Sequence, residues 1–336
     1  MPNPNSKLMA WLQLFRVANL PSAIANILMG FLLVHHSWTP TIELILLIVA
    51  SSSMYLAGMV LNDVFDFEID LQQRPSRPLP SNKISKGTAA LVGSLMLVAG
   101  IGIAIAAGAI AAGGLTIDLY GPLVRTGLIS VALAICVVLY DGPLKRTIAA
   151  PFIMGSCRSL NILMGASTFA PAVMKTSDTS ELILGLPPTI WWVAISIGLL
   201  ISGATLLGRK EAVENQNRTP LFVAVGIIIS SLIAFGLVVY IPSDSIGSIR
   251  ISEQQKTIFA LACAMLSITI VRRAIEAAAT AQPKKIQMGV VSVLRSLIIF
   301  DAMICYIAMP DQVIYSLVVL ALLIPSFLMG RFFRST

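Results

Sequence analysis

The chain has 336 residues, 57% of them hydrophobic and only 12% charged, with a mean hydropathy of +0.87. Soluble domains carry roughly a quarter charged residues, so this composition excludes an ordinary water-soluble fold and makes lipid the main solvent. The net charge of +7 is not a nucleic-acid signal, because basic residues in a membrane protein first report orientation.

Apolar runs of roughly twenty residues, long enough to cross a hydrocarbon core, follow one another with short polar joints and without sustained β alternation. That pattern selects a helical bundle over a barrel. Spans are expected at 10–34, 42–62, 88–112, 119–139, 147–166, 188–208, 219–240, 256–277, 288–308 and 311–331. The fold class is therefore all-α, a polytopic transmembrane bundle of about nine to ten spans. Span one holds Arg16 and Asn19 and is followed by no clear small-residue cleavage site, so it reads as a retained helix rather than a signal peptide. His35 and His36 stand at its outer end, where an interfacial role is expected. Span three is rich in small residues, with Ala104, Gly108 and Ala112 four apart, a spacing that permits close helix packing.

Polar side chains inside spans cost at least a few kcal/mol each in lipid, so they must face the bundle interior. Arg16 and Asn19 in span one, Arg158 and Asn161 in span five, and Arg295 and Asp301 in span nine thus imply a central polar cavity. For Arg295 and Asp301, mutual pairing is an equal alternative. Cys136, Cys157, Cys263 and Cys305 all fall inside spans without paired spacing, so neither a disulfide framework nor a zinc site is expected. The longest joints, 63–87, 167–187 and 241–255, are too short for an independent core, which leaves residues 1–336 as a single integral-membrane domain.

Sorting the basic residues by joint gives the orientation. Lys7, Arg74, Arg77, Lys83, Lys86, Lys145, Arg146, Arg209, Lys210, Arg218, Arg272, Arg273, Lys284, Lys285, Arg331 and Arg334 fall on one side, against Arg125, Lys175, Arg250 and Lys256 on the other. The positive-inside rule then places both termini and the even-numbered joints in the cytoplasm, as expected for a multi-pass protein of the inner or plasma membrane with an even number of spans.

The chemistry concentrates where span two ends, in Asn62-Asp63-Val64-Phe65-Asp66-Phe67-Glu68-Ile69-Asp70, followed by Arg74 and Arg77. At 100° per residue Asp63, Asp66 and Asp70 fall within about 60° of one another on a helix, and Asn62 and Asp66 are one turn apart. Like charges so close repel unless a hard cation sits among them, and an oxygen-only donor set suits Mg²⁺. A solvated helix cap is the plainer alternative, but a cap needs one carboxylate and not three. Tyr140-Asp141-Gly142-Pro143-Leu144-Lys145-Arg146, between spans four and five, supplies adjacent cations able to clamp an anionic oxygen. After span six, Arg209, Lys210, Glu211, Glu214 and Arg218 make a second charged joint on the same side.

These motifs, in this order and over essentially the whole length, resemble the UbiA superfamily of intramembrane prenyltransferases. The family's first aspartate motif is matched by Asn62, Asp63, Asp66 and Asp70, and its Arg-Pro-Leu-Pro-Ser sequel by Arg77 through Ser81. Its Tyr-Pro-x-x-Lys-Arg element is similar to Tyr140 through Arg146, with an insertion. The second acidic motif, usually two Asp four apart, is replaced by Gly208-Arg209-Lys210-Glu211-Ala212-Val213-Glu214, where Glu211 and Glu214, three apart and so on one helix face, are the expected substitutes as metal ligands. That replacement, together with Leu297 to Ala302, is most similar to the EboC-like branch. The resemblance implies Mg²⁺-dependent transfer of an isoprenyl group from a polyprenyl diphosphate to a hydrophobic, typically aromatic, acceptor in the bilayer. Asp63, Asp66 and Asp70 would be catalytic, and Arg77, Lys145, Arg146, Arg209, Lys210, Arg16, Asn19, Arg158 and Asn161 would bind substrate. A non-catalytic lipid or prenyl binder is the competing expectation, raised by the altered second motif.

Overall fold

The computed structural model describes residues 4–115, 117–170, 182–209, 218–240 and 251–332. The helices are α1 (Pro4–Phe15), α2 (Leu20–His35), α3 (Thr41–Phe65), α4 (Phe67–Gln73), α5 (Lys86–Ala111), α6 (Pro122–Asp141), α7 (Ala150–Ala166), α8 (Pro188–Gly208), α9 (Thr219–Gly236), α10 (Glu253–Thr280), α11 (Pro283–Ala308), α12 (Ile314–Ala321) and α13 (Leu323–Phe332). Among the described residues the only β pairing is an isolated bridge between Ile183 and Leu186.

Local chemistry sets many of the helix starts. Pro21, Pro122, Pro151, Pro188, Pro220 and Pro283 stand in the first turns of α2, α6, α7, α8, α9 and α11, where a missing N–H costs nothing and φ is already helical. Ser85 caps α5 by accepting from the Thr88 amide at 3.1 Å. Ser252 and Gln255 form a reciprocal capping box at the start of α10.

Among the described residues, eight helical stretches are long and apolar enough to cross a membrane. Two further expected spans are less regular. Helix α7 has 17 residues, about 26 Å at 1.5 Å per residue, and carries Arg158 and Asn161. The final crossing is split at Leu322 into α12 and α13, and Ser326 in α13 donates to the Ala18 carbonyl at 3.4 Å, which returns the chain to the start of α2. The expected span at 311–331 is thus a broken helix. The first span also departs from expectation, because the run is interrupted at Arg16, in left-handed backbone (φ 46°, ψ 46°), and the spanning helix begins only beyond it.

Chain neighbours pack on each other from α5 to α12, and α2 closes the bundle against α3, α7 and α11. The α2–α7 contact is close because glycines meet backbone. A Cβ at Gly30 would lie 2.2 Å from the Ile162 carbonyl oxygen, and one at Gly165 would lie 2.5 Å from that of Ile27. The outer flanks of α5, α6 and α10 expose Leu91, Leu95, Val98, Leu128, Leu261, Met265 and Ile268, an apolar coat that suits lipid and would aggregate in water. The small-residue stripe of span three packs inward as expected: Ala104 is buried, and a Cβ at Gly108 would press on the Pro122 carbonyl oxygen and the Thr126 side chain.

Candidate active site

Helix α3 ends at Phe65 and the chain bends at Asp66 (φ −83°, ψ 1°) before α4 begins. The three aspartates therefore do not share one continuous helix face, which corrects the expected stripe. The hydrogen-bond ladder survives the bend, since the Asp66 amide donates to the Asn62 carbonyl at 3.0 Å and the Asp70 amide to the Asp66 carbonyl at 2.9 Å. Each of the three carboxylates on either side of the bend has a basic partner.

Asp63 accepts from Arg16 at 2.7 Å and lies 3.6 Å from Arg77, Asp70 accepts from Arg77 at 2.6 Å, and Asp66 accepts from Lys145 at 2.5 Å. Asp63 and Asp70 are only 5% and 3% exposed, so these partners are needed to offset the loss of hydration. Arg77 is held by the turn after α4. The Ser81 amide donates to the Arg77 carbonyl at 2.9 Å, while Leu79 and Ile84 bury against Leu14 of α1, Val60 of α3 and Ala89 of α5. The Arg-Pro-Leu-Pro-Ser segment is thereby fixed over the mouth of the bundle.

A fourth carboxylate joins this end. Asp141, the last residue of α6, is 5% exposed and accepts from the Asn62 side-chain amide at 2.9 Å. Sequence reasoning quoted Asp141 without assigning it a role. The signal was there: a carboxylate at a helix C-terminus opposes the helix dipole and is costly without a cation to serve. Asp63, in the last turn of α3, stands against its helix dipole in the same way.

Other expected contacts are distributed differently. Arg146 is exposed and forms no ion pair among the described residues. Arg209 donates to the Thr147 carbonyl at 2.6 Å, which ties the α8 end to the α6–α7 joint. Lys210, Glu211 and Glu214 lie outside the described residues.

Beneath the acidic end, polar side chains continue into the bundle. Arg158 of α7 donates to Asn26 Oδ1 at 3.0 Å and to Ser22 Oγ at 2.9 Å. The Asn26 amide donates to both oxygens of Asp301, at 3.0 and 2.8 Å, and Asp301 is fully buried. Asn161 donates to the Ala23 carbonyl at 2.9 Å and accepts from Ser51 at 2.6 Å, pinning α7 to α2 and α3. Tyr55 lies near Asn19, Arg16 and Arg158. Asp301 thus pairs across to α2 and not with Arg295, whose guanidinium instead stacks over Phe327 at 5.1 Å. Ser22, Asn26 and Tyr55 were missed from sequence, although Asn19, Ser22 and Asn26 fall three and four residues apart, the spacing of one helix face. Two of the four cysteines, Cys136 and Cys157, lie near each other across the α6–α7 contact.

The donor set at the acidic end fits Mg²⁺ in kind: hard oxygens from Asn62, Asp63, Asp66 and Asp70, with Asp141 beside them. Among the described residues no three acidic, His or Cys side chains converge tightly enough to enclose an ion by themselves. Side chains with room left for water and phosphate oxygens are the usual surroundings of Mg²⁺, which seldom takes an all-protein cage.

Comparison with known proteins gives one answer at two levels. The chain is 30% identical over 164 residues to the digeranylgeranylglyceryl phosphate synthase of Saccharolobus solfataricus, covering 48% of this chain and 52% of that protein. It is 31% identical over 96 residues to the enzyme of the same name from Sulfurisphaera tokodaii, covering 29% and 34%. The matched stretches thus span a third to a half of these relatives. Among solved structures, one described as giving insights into digeranylgeranylglyceryl phosphate synthase in membranes superposes with a TM-score of 0.60 at 19% identity, covering 92% of this chain and 99% of that one. A UbiA homolog from Archaeoglobus fulgidus bound to GPP and Mg²⁺ superposes with a TM-score of 0.60 at 13% identity, covering 93% and 99%; at such identities the likeness is one of fold. The profile of the UbiA prenyltransferase family matches residues 23–275, most of the chain, and the protein belongs to that family.

Proposed function

We propose that this protein transfers an isoprenyl group from a polyprenyl diphosphate to a small acceptor inside the membrane, with Mg²⁺ at the acidic end of the bundle. The observation that carries the reading is the pairing of Asp63, Asp66 and Asp70 with Arg16, Lys145 and Arg77 directly above a buried polar network. Carboxylates and cations interleaved in this way match a diphosphate and its counter-ions, because each cation can pass from a carboxylate to a phosphate oxygen without being left unpaired. A relative in fold was solved with GPP and Mg²⁺, which supports the same ligands here.

Mg²⁺, held by Asp63, Asp66 and Asp70 with Asn62, would supply the charge neutralisation that makes diphosphate a good leaving group. The chain's own groups do the rest. Arg77, Lys145 and Arg16, each paired with an aspartate of the motif, draw the diphosphate oxygens to the mouth. The C–O bond to the prenyl carbon breaks, the electron pair leaves with the diphosphate, and the acceptor atom bonds to that carbon while losing a proton. The surrounding bundle keeps water from the allylic cation, and the apolar tail lies toward lipid. On this reading the protein is multi-pass, with its acidic end and both termini cytoplasmic, since the basic joints gather at that end. We place it in the EboC-like branch on the Arg209-Lys210-Glu211 joint and the Leu297–Ala302 segment.

The test is product formation. Protein in nanodiscs is incubated with geranylgeranyl diphosphate, Mg²⁺ and a lipid extract, and products are read by mass spectrometry. A Mg²⁺-dependent prenylated product is expected. Donor that binds but is returned intact would favour the lipid-binding alternative, which the altered second acidic motif keeps in view.

A further inference from the structure

The polar network below the acidic end has a charge balance that bears on the acceptor. Arg158 is only half-buried, so one flank of its side chain stays open. Two of its guanidinium N–H groups are used, on Asn26 and Ser22, out of the five that an arginine carries. The Asn26 amide is committed at both ends, its oxygen to Arg158 and its nitrogen to Asp301. One side-chain amide therefore links the guanidinium to a fully buried carboxyl group. Tyr55 lies between this network and the mouth, close to both Arg158 and Arg16.

Resting on the transfer reading above, we propose that Arg158, neutralised through Asn26 by Asp301, forms the acceptor site and selects a neutral, hydroxyl-bearing acceptor over an anionic one. An acceptor next to the prenyl carbon must lie just inside the acidic mouth, and Tyr55, Asn19 and the open flank of Arg158 are the polar groups available there. An uncompensated buried arginine would attract a carboxylate or a phosphate strongly. Here the compensating charge is built in. An anionic acceptor would bring a second negative charge toward Asp301 in a water-poor interior, with one arginine to serve both. A hydroxyl needs no charge partner and takes its hydrogen bonds from the remaining guanidinium N–H groups and the Tyr55 oxygen. Asp301 stands on α11, beyond residue 275, where the family match ends.

The experiment uses pairs in which one member carries an anionic group that the other lacks: geranylgeranylglycerol against its phosphate, and 4-hydroxybenzyl alcohol against 4-hydroxybenzoate. Full-length protein in nanodiscs is assayed with geranylgeranyl diphosphate and Mg²⁺ for acceptor kcat/KM, and separately for acceptor binding with a non-hydrolysable thiolo-diphosphate donor. In the wild type the neutral member of each pair is expected to be favoured by about tenfold or more. Asp301→Asn frees the arginine charge and should move the ratio at least about tenfold toward the anion. The double variant Arg158→Gln with Asp301→Asn should move it back. Wild-type preference for the anionic member overturns the proposal without recourse to any variant, and so does an unchanged ratio in Asp301→Asn. Neutral-first binding without turnover of any acceptor supports the charge rule and removes the transfer reading; turnover with anion-first selection does the reverse.

Discussion

Asp66 is the residue on which the two halves of the acidic end depend. It stands at the bend between α3 and α4, and its carboxylate alone reaches across to the α6–α7 joint, at Lys145. Asp66→Ala is expected to lower transfer by roughly a hundredfold or more, the scale of losing a preorganised charge contact, while the protein still elutes as a folded particle. Asp63→Ala should behave alike, and retained activity in both would return the segment to a solvated helix cap. Asp141→Asn keeps the shape of the contact to Asn62 but removes the charge, and should weaken Mg²⁺-dependent donor binding by roughly tenfold if it serves the same cation. At the second joint, Glu211→Gln is expected to weaken Mg²⁺ dependence if that glutamate is a ligand. An inactive Arg209→Ala with unchanged Mg²⁺ dependence in Glu211→Gln would mean that cations there contact the diphosphate directly. At this scale the Asn62–Asp70 motif and the basic residues at the mouth were legible from residue type and spacing alone. The Asn26–Asp301 contact was not, because it joins residues 275 positions apart and only the α2–α11 packing brings them together.

Individual helices follow their sequence where local chemistry dominates and depart from it where tertiary contacts do. Proline-led starts and the runs behind them fell close to the expected spans. The breaks at Arg16 and Leu322 did not show, because apolar residues continue through both, and the one at Asp66 did not, because the acidic spacing on either side of it is itself helical. At Arg16 a left-handed residue is held in place by its ion pair to Asp63, a partner that no local pattern reveals. The α2–α7 crossing sets the depth of the polar network, since Gly30 and Gly165 let the backbones approach until Arg158 meets Ser22 and Asn26. Gly30→Ala would push a methyl into the Ile162 carbonyl. It is expected to cost about 1–3 kcal/mol, the usual range for overpacking, seen as a lower unfolding midpoint in detergent together with slower transfer. An unchanged midpoint and rate would mean that the crossing relaxes freely and does not position Arg158.

For the whole molecule, orientation and chemistry are one question, because the basic joints and the acidic end share a side of the bundle. Arg209 bonding to Thr147, and α13 returning to Ala18, bring the α8 end and the last helix to the end that holds Asp63 and Asp66. A reporter fused at the C-terminus should therefore read as cytoplasmic; an external signal would place the acidic end on the far side and invert the orientation argued from charge. The most direct test of the central claim is pyrophosphate release from geranylgeranyl diphosphate by purified protein in nanodiscs, measured with Mg²⁺, with excess EDTA, and in Asp66→Ala. Release that requires Mg²⁺ and is lost in Asp66→Ala is the predicted result. Release that persists in EDTA, or in the variant, would contradict the assignment of the Asn62–Asp70 segment as the site of diphosphate cleavage.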